Sequence, residues 1–341
     1  MERVESKILH ELASSNKNFW EILQTSDFLL KDIISSLKKL KKKGAIGINE
    51  NGFFITERGR KKINPKSLEL EVKVCKSCEG KSIVLGKKFS EILENFKKIV
   101  KERPLPKSNF FQGYMFEIDV ISRIAFMHHH HDIENKKIVL IGDDDLLSIG
   151  LALTELPSKI LVLDIDERIG KFIEKFNEEY GYSIEFRQYD VSNPLPKSFE
   201  HKFDVFSSEP LETFSGMKAF IFRGITCLKK GGVGYFGLTR YESSLKKWLE
   251  IQKFLNKMKC VITDLIPGFS VYPMNYGSIN YENFAYQLGL NVKENKGVNW
   301  YKSALFRFEV LNDPPLKNKK MKIDFVDEEE DLTHPSIKIS L

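Results

Sequence analysis

The sequence predicts an α/β protein in which a winged-helix-like amino-terminal domain precedes a Rossmann-like, doubly wound sheet. Residues 1–63 show three short helical periodicities and then a hairpin signal. Between residues 136 and about 310, short apolar runs alternate with helical ones. Alternation of strands with helices is the pattern of a parallel sheet covered by helices on both faces.

The amino-terminal segment, residues 1–63, is expected to form a small domain of its own. Its three helical patterns end near Leu37, and residues 44–56 alternate about the turn-forming run Asn-Glu-Asn-Gly, as in a hairpin. Six lysines between residues 31 and 43 leave nucleic-acid binding open as its role. Packing or dimerisation is the preferred interpretation, because no set of arginines suited to reading bases is evident.

Seven strands are expected in the second half of the chain. Five of them alternate with helices, and the last two resemble the antiparallel closing hairpin of adenosylmethionine-dependent transferases. The predicted strands are Lys137–Ile141, Ile160–Asp164, Glu185–Gln188, Phe203–Ser207, Val233–Leu238, Val261–Ile266 and Ser303–Val310.

Three further regions follow the amino-terminal domain. Residues 64–117 are expected to be a linker with a helical segment, and residues 118–312 to form the Rossmann-like domain. Residues 313–341 form a charged tail, basic at first and then acidic, with few apolar residues. Such a composition is typical of mobile segments.

Three consecutive carboxylates, Asp143 to Asp145, follow the first strand of the sheet and Gly142. The carboxyl edge of a parallel sheet is where ligands bind in open α/β folds. A helix cap would explain one aspartate, whereas three adjacent ones repel each other unless a cation or a proton offsets their charge. The loop lacks the glycine-rich cradle of a dinucleotide site, so nicotinamide cofactors are disfavoured and a cationic ligand is favoured.

Further acidic residues end the next strands. Asp164 and Asp166 lie about 20 residues after the first turn, where an acid commonly accepts hydrogen bonds from ribose hydroxyls. Asp190 ends the third strand, where transferases of this fold place an acid against adenine, although each aspartate alone is also an ordinary turn residue. Glu209 and Glu212 follow the fourth strand, so an acidic cleft is expected.

The bulk composition excludes several classes of protein. A charge of +6 spread over 341 residues does not identify a partner, and no amino-terminal signal or membrane-length apolar run is present, so the protein is expected to be cytoplasmic. Cys75 and Cys78 form only half of a zinc site, and the run of four histidines from His128 has no recognised ligand spacing. No metal site is therefore predicted.

The chain resembles the branched-chain polyamine synthases of archaea and thermophilic bacteria. The resemblance extends over nearly its whole length and is carried by Phe111-Gln-Gly-Tyr, residues 123–127, residues 216–232, and most specifically Gly142-Asp-Asp-Asp-Leu with Ser148. It implies transfer of aminopropyl groups from decarboxylated S-adenosylmethionine, a cosubstrate rather than a tightly bound cofactor, to the secondary amine of spermidine. A branched polyamine and methylthioadenosine would be the products, and a homodimer the implied assembly. The sequence departs from the family where Glu209-Pro-Leu-Glu-Thr replaces Asp-Pro-Pro-x-Thr.

Roles for individual residues follow as hypotheses. Asp144, Asp145 and Glu209 are expected to be catalytic, with Asp145 accepting the proton. Asp143, Glu212, Gln112 and Tyr114 are expected to bind the polyamine, although ordinary loop packing also explains the last two. The residues expected to bind the cosubstrate are Gly142, Asp164, Asp166 and Asp190.

Two alternative functions remain open at this point. An S-adenosylmethionine-dependent methyltransferase would suit the fold but not the acidic first loop, because carboxylates repel the carboxylate of that cofactor. A polyamine-sensing DNA-binding regulator would combine a winged helix that reads DNA with a ligand-binding α/β domain.

Overall fold

The chain folds into a seven-stranded sheet that is preceded by an amino-terminal segment of helices and one hairpin. The computed structural model describes residues 1–70, 72–313, 315, 317–327 and 332–335. In the sheet the strand order is β5-β4-β3-β6-β7-β9-β8, with strands numbered along the chain.

The amino-terminal segment contains three helices, a hairpin and a short fourth helix. The bounds are α1 Arg3–Ser14, α2 Phe19–Gln24, α3 Leu30–Lys42, β1 Ile46–Asn49, β2 Gly52–Ile55 and α4 Glu57–Arg60. A capping box fixes the start of α2, because Asn18 and Glu21 each accept a backbone N–H of the other. The order of three helices and a hairpin is the order that the sequence pattern predicts.

Two helices connect this segment to the sheet. They are α5 Lys87–Ile99 and α6 Glu117–His129. The loop before α5 is fixed to α6 through Lys81, whose ammonium binds the buried Asp119 carboxylate. Asp119 also accepts the Val271 N–H at 2.8 Å, so the loop, α6 and the sheet meet at one carboxylate.

The sheet domain alternates strands and helices, as predicted. Its elements are β3 Lys137–Ile141, α7 Leu147–Ala152, β4 Lys159–Asp164, α8 Glu167–Tyr180, β5 Glu185–Gln188, β6 Phe203–Ser208, α9 Phe214–Cys227, β7 Leu228–Thr239, α10 Leu245–Lys257, β8 Cys260–Tyr272 and β9 Tyr301–Val310. The first five strands in the sheet order, β5, β4, β3, β6 and β7, pair in parallel. Strand β9 lies between β7 and β8 and is antiparallel to both. The predicted α/β class and the antiparallel closing pair are thus confirmed.

The central strand β3 is buried on both faces. Ile138 and Leu140 belong to one hydrophobic core, and Val139 and Ile141 belong to the other. Successive side chains of a strand point to opposite faces, so this unbroken apolar run serves both cores at once. The chain leaves β3 toward β4 on one side and returns to β6 on the other, which creates a switch point beside β3 at the carboxyl edge.

Helix α2 packs directly against the sheet domain through aromatic side chains. Trp20 is 1% exposed, its ring lies 5.8 Å from that of Trp300, and its indole N–H donates to the Lys293 carbonyl at 2.9 Å. The Tyr241 hydroxyl donates to the Leu23 carbonyl at 2.8 Å, and its ring contacts Trp300 edge-on. The amino-terminal segment is therefore packed against the sheet domain through a buried interface.

The described part of the carboxyl-terminal region lies against the sheet domain. Asn318 hydrogen-bonds both backbone groups of Leu195 and accepts from Arg223, and Leu332 is 4% exposed. The predicted tail of residues 313–341 falls partly outside the described residues. The contacts that are described were not predicted, because a few anchoring side chains in a charged segment leave no periodic pattern.

Two further findings concern ligands and membranes. Within the described ranges, no three histidine, cysteine, aspartate or glutamate residues are placed to bind a metal ion together. No helix in the same ranges is long and apolar enough to cross a membrane.

Candidate active site

A cleft of about 350 Å³ opens at the carboxyl edge of the sheet, beside the switch point. Gly142 and Asp144 line it after β3, Asp164 at the end of β4, Asp190 after β5, and Glu209 with Glu212 after β6. Parallel strands end at the same edge, which explains why acids distant in sequence meet here.

The loop after β3 turns sharply at Gly142, where φ is +75°. A glycine suits this position, because other residues seldom adopt a positive φ. Asp143 is 2% exposed and accepts two hydrogen bonds from Ser148, one from its hydroxyl and one from its N–H at 3.2 Å. Asp143 is absent from the cleft lining, so its carboxylate closes the loop from within.

Asp144 and Asp145 face different surroundings. Asp144 lines the cleft and accepts the Gly113 N–H at 2.9 Å. Asp145 is 6% exposed, accepts the Met115 N–H at 2.6 Å and is not among the cleft-lining residues. Burial raises the pKa of both carboxyls, and the negative charge of Glu209 raises both pKa values further. Asp144 is thus the member of the triplet that a ligand can reach.

Glu209 is fixed at both carboxylate oxygens. The buried Arg123 guanidinium donates to Oε1, and the Tyr272 hydroxyl donates to Oε2 at 2.6 Å. Arg123 also donates to the Ser270 hydroxyl at 3.1 Å, which ties the guanidinium to β8. The Glu209 side chain lies over Gly237 of β7, where an added Cβ would stand 1.9 Å from Oε2. The absence of a side chain at Gly237 therefore leaves room for glutamate where the family pattern has the shorter aspartate.

Glu212 and Glu242 form a second pair of carboxyls farther along the cleft. Glu212 accepts the Thr239 N–H at 2.8 Å and the Ser243 hydroxyl at 2.9 Å, and Glu242 accepts the Tyr301 hydroxyl at 2.8 Å. Burial, with the neighbouring Glu242 charge, raises the pKa of Glu212 to about 8. Burial also raises the pKa of Glu242.

The ammonium of Lys247 lies between these two glutamates but hydrogen-bonds their backbone carbonyls, at 3.2 Å and 3.1 Å. It also pairs with the Asp327 carboxylate, at 3.0 Å. The two glutamate side chains are therefore hydrogen-bonded by neutral donors, while the nearby charge of Lys247 partly offsets the rise in their pKa values.

The opposite end of the cleft is apolar with acids at its rim. Ile165 is 43% exposed and lines the cleft together with Val191 and Phe220. Exposed Asp190 stands beside them, its Oδ1 accepting the Ser192 N–H at 2.8 Å. Asp164 accepts the N–H groups of Asp143 and Asp166, each at 2.8 Å, and burial raises its pKa to about 7. A flat, mostly apolar ring with a polar edge would fit here.

Three other predicted residues, at or beside the cleft, have side chains that already contact other groups of the protein. Asp166 binds the Arg168 guanidinium and accepts the Gln112 amide at 3.0 Å, and it does not line the cleft. Gln112 lines the cleft, yet its side chain fixes the 107–112 turn. Tyr114 does not line the cleft, and the Arg103 guanidinium lies 4.0 Å above its ring. These side chains shape the wall from behind.

Several residues of the cleft were not identified from the sequence. Tyrosines form most of one wall, joined by Glu242 and by Phe111 with the His334 ring stacked 4.3 Å from it. The tyrosines concerned are Tyr272, Tyr276, Tyr281 and Tyr301. Tyrosines are frequent between residues 272 and 301, and this clustering is the sequence feature that could have indicated the aromatic wall. Aromatic faces beside carboxylates are the surroundings that ammonium groups prefer.

Known proteins resemble this chain over most of its length. A family model described as the branched-chain polyamine synthase A C-terminal domain matches residues 91–333. N(4)-bis(aminopropyl)spermidine synthase of Thermococcus kodakarensis is 40% identical over 314 residues, covering 91% of this chain and 88% of that protein. The enzyme of the same name from Methanocaldococcus jannaschii is 41% identical over 312 residues, covering 90% and 87%.

A solved structure is similar over almost the whole chain. The branched-chain polyamine synthase of Thermus thermophilus, crystallised with N4-aminopropylspermidine and 5'-methylthioadenosine, superposes with a TM-score of 0.84 at 32% identity. The match covers 96% of this chain and 92% of that one. With the family model spanning residues 91–333 and relatives at 40% identity over nine-tenths of its length, this chain belongs to the branched-chain polyamine synthase family.

Proposed function

We propose that this protein transfers aminopropyl groups from decarboxylated S-adenosylmethionine to the secondary amine of spermidine, yielding branched-chain polyamines and methylthioadenosine. The observation that carries the proposal is the meeting of Asp144 and Glu209 on the wall of a cleft in which both carboxyls face tyrosines. The Thermus thermophilus relative, crystallised with a branched polyamine and methylthioadenosine, supports it.

The donor nucleoside fits the apolar end of the cleft. Its adenine would lie against Ile165, Val191 and Phe220, with Asp190 at the polar edge of the ring. Asp164 lines the cleft nearby, where a ribose hydroxyl could donate to its carboxylate. This placement directs the sulfonium toward Gly142 and Asp144, because both residues lie at the end of the central strand β3.

The acceptor amine would approach from the tyrosine wall. Its secondary nitrogen must be neutral to attack, and its lone pair then forms a bond to the methylene beside sulfur. The carbon–sulfur bond breaks, and its electron pair remains on sulfur as the neutral thioether of methylthioadenosine. Carboxylates that fix the other ammonium groups lower the cost of placing the amine in line with that bond.

Asp144 is the group that we assign to proton transfer. It lines the cleft, and burial with the adjacent Glu209 charge raises its pKa above that of an ordinary aspartate. A raised pKa makes the carboxylate a better proton acceptor near neutral pH. Asp145, the sequence-based choice, would instead keep the 113–115 segment in place through the Met115 N–H.

The second aminopropyl transfer needs a proton acceptor as well. After the first transfer the nitrogen is a tertiary amine, which is protonated near neutral pH and must lose that proton before its lone pair can attack. It then becomes a quaternary ammonium, which carries no proton. Proton acceptance by Asp144 therefore serves both transfers.

The test uses the full chain with spermidine and decarboxylated S-adenosylmethionine. We expect methylthioadenosine to be released in two equivalents per spermidine, with mono- and bis-aminopropylated products resolved by mass spectrometry. Adenosylmethionine replaces the donor in a parallel reaction, and methylated product there would favour a methyltransferase. Absence of methylthioadenosine, with a relative such as the Thermococcus kodakarensis enzyme active in the same assay, would refute the proposal.

The matched variants are Asp144→Asn and Asp145→Asn. The asparagine at 144 should remove most of the transfer to spermidine and to N4-aminopropylspermidine at pH 7, and a higher pH, which deprotonates the amine in solution, should restore part of the rate. The asparagine at 145 should slow both transfers without this rescue, because it acts on the position of the loop.

A further inference from the structure

The second carboxylate pair, Glu212 and Glu242, has no part in the displacement described above. Both residues line the cleft beyond Tyr272 and Tyr301, whose rings lie 5.7 Å apart between the two pairs. Glu209 binds the Tyr272 hydroxyl, and Glu242 binds the Tyr301 hydroxyl. Acidic pairs therefore alternate with aromatic rings along one wall.

The Glu242 side chain is fixed at both oxygens by neutral donors. The Tyr301 hydroxyl donates to Oε2 at 2.8 Å, and the Thr333 N–H donates to Oε1 at 2.9 Å. The Thr333 hydroxyl also hydrogen-bonds this carboxylate. Three donors occupy three of its roughly four lone-pair sites, so one remains for a cation in the cleft. Glu242 is 7% exposed, and a carboxylate so placed is costly to ionise without an adjacent cation.

The structure already contains an ammonium at this end of the cleft. The Lys247 Nζ bonds the backbone carbonyls of both glutamates, at 3.2 Å and 3.1 Å, and leaves their carboxyls to the cleft side. One ammonium, that of Lys247, is therefore already bound on the backbone side of the two glutamates. Because Lys247 also pairs with Asp327, a second ammonium on the side-chain side would offset charge that Lys247 alone leaves on the two glutamates.

We infer that Glu242, positioned by Tyr301 and aided by Glu212, binds a terminal ammonium of the acceptor and so determines which amines are accepted. The inference rests on the proposed function and assigns a different nitrogen to each pair. The reacting secondary amine lies at Asp144 and Glu209, and a primary ammonium lies at Glu242. The methylenes between the two nitrogens pass over Tyr272 and Tyr301.

The test compares Glu242→Gln and Tyr301→Phe with the wild type. Glutamine retains an acceptor oxygen and the side-chain volume, and phenylalanine retains the ring, so both variants should fold. We expect Glu242→Gln to raise the KM for spermidine about tenfold or more, with less than threefold change in kcat and an unchanged KM for the donor. Tyr301→Phe should shift the same KM in the same direction by a smaller factor.

Spermidine acetylated at either terminal amine separates charge recognition from a general loss of fit. The wild type should prefer spermidine over at least one of the two acetylated amines, and Glu242→Gln should lose most of that preference. Glu250→Gln, an exposed glutamate of α10 that pairs with Lys253, is the matched control and should keep both values.

The failure of this inference is distinguishable from failure of the proposed function. Release of methylthioadenosine by the wild type tests the function, and the variants test the inference. If the wild type is active and Glu242→Gln keeps its spermidine KM and its discrimination against acetylated amines, the inference is wrong. If the wild type shows no turnover, calorimetric titration of spermidine into the methylthioadenosine-loaded protein measures the same loss of affinity, and equal affinities overturn it.

Discussion

A methyl group added at Gly237 should impair the active site without unfolding the protein. Its Cβ would stand 1.9 Å from Glu209 Oε2, whereas real Cβ contacts essentially never fall below 3.0 Å, so the carboxylate must retreat by at least 1.1 Å (3.0 minus 1.9). The obstructing atoms are the end of a flexible side chain, so β7 need not move. Tyr272 and Arg123 would then lose their partner.

The expected loss is large, because misplacement of a catalytic group by about 1 Å can cost about a hundredfold in rate. We expect Gly237→Ala to lower kcat/KM for spermidine by about that factor, measured as methylthioadenosine release. Gly86→Ala is the matched control, since no atom lies within 4 Å of its added Cβ and φ is −73°. Wild-type kinetics for Gly237→Ala would refute the assigned place of Glu209. Some fall in Tm is expected, because the buried Arg123 guanidinium loses its carboxylate; loss of the folded state would instead show that the strand is displaced.

Three other outcomes are expected. Asp143→Ala removes the acceptor of both Ser148 hydrogen bonds and should lower the free energy of unfolding by about 1–3 kcal/mol, measured as a fall in Tm. An unchanged Tm with a raised spermidine KM would place Asp143 in substrate binding instead. Asp190→Asn should raise the KM for the donor about tenfold and leave the spermidine KM unchanged, and the reverse pattern would contradict the nucleoside placement. Glu212, whose pKa is raised from 4.5 to about 8, is about nine-tenths protonated at pH 7 in the unliganded protein. A bound ammonium favours the ionised form, so spermidine binding should release up to about one proton at pH 7 and less above pH 8, which calorimetry in buffers of different ionisation heat would detect.

The same raised pKa sets how stability depends on pH. A carboxyl whose pKa is higher in the folded state favours folding below its unfolded value of 4.5, and that contribution disappears as the pH rises through about 8. Polyamine should therefore raise the Tm more at pH 8 than at pH 5. Equal increments at the two pH values would contradict a carboxyl that gains its charge only with the ligand.

The sheet was predictable because its strands are short apolar runs with breaks between them. Lys137–Ile141 and Glu185–Gln188 agree with the structure residue for residue. β7 and β8 are longer than predicted, because polar and glycine residues at their ends obscure the pattern. Pairing with β9 keeps Ser270 to Tyr272 of β8 extended, and pairing with β6 holds Leu228 at the start of β7. Neither pairing is visible in a local window.

The acids at the carboxyl edge were predictable from topology, whereas their orientation was not. Asp143 and Asp145 look equivalent to Asp144 in the sequence, yet only a folded loop shows which carboxylate turns inward. Asp164 and Asp166 differ in the same way, since Arg168 captures the second. Glu242 was missed because it lies far along the chain, at the end of a strand that no acidic motif marks.

The contact of Trp20 with Trp300 connects the amino-terminal segment to the cleft. Trp300 is adjacent to Tyr301, and Tyr301 supports Glu242, so α2 lies two side chains away from the cleft. An exchange of residues 1–63 between relatives would therefore change the support of one cleft wall as well. A chimaera that imports α2 without its partner segment 284–301 should pair mismatched surfaces at that point. A substitution in α2 could therefore change which acceptor amine is preferred, even though α2 does not line the cleft.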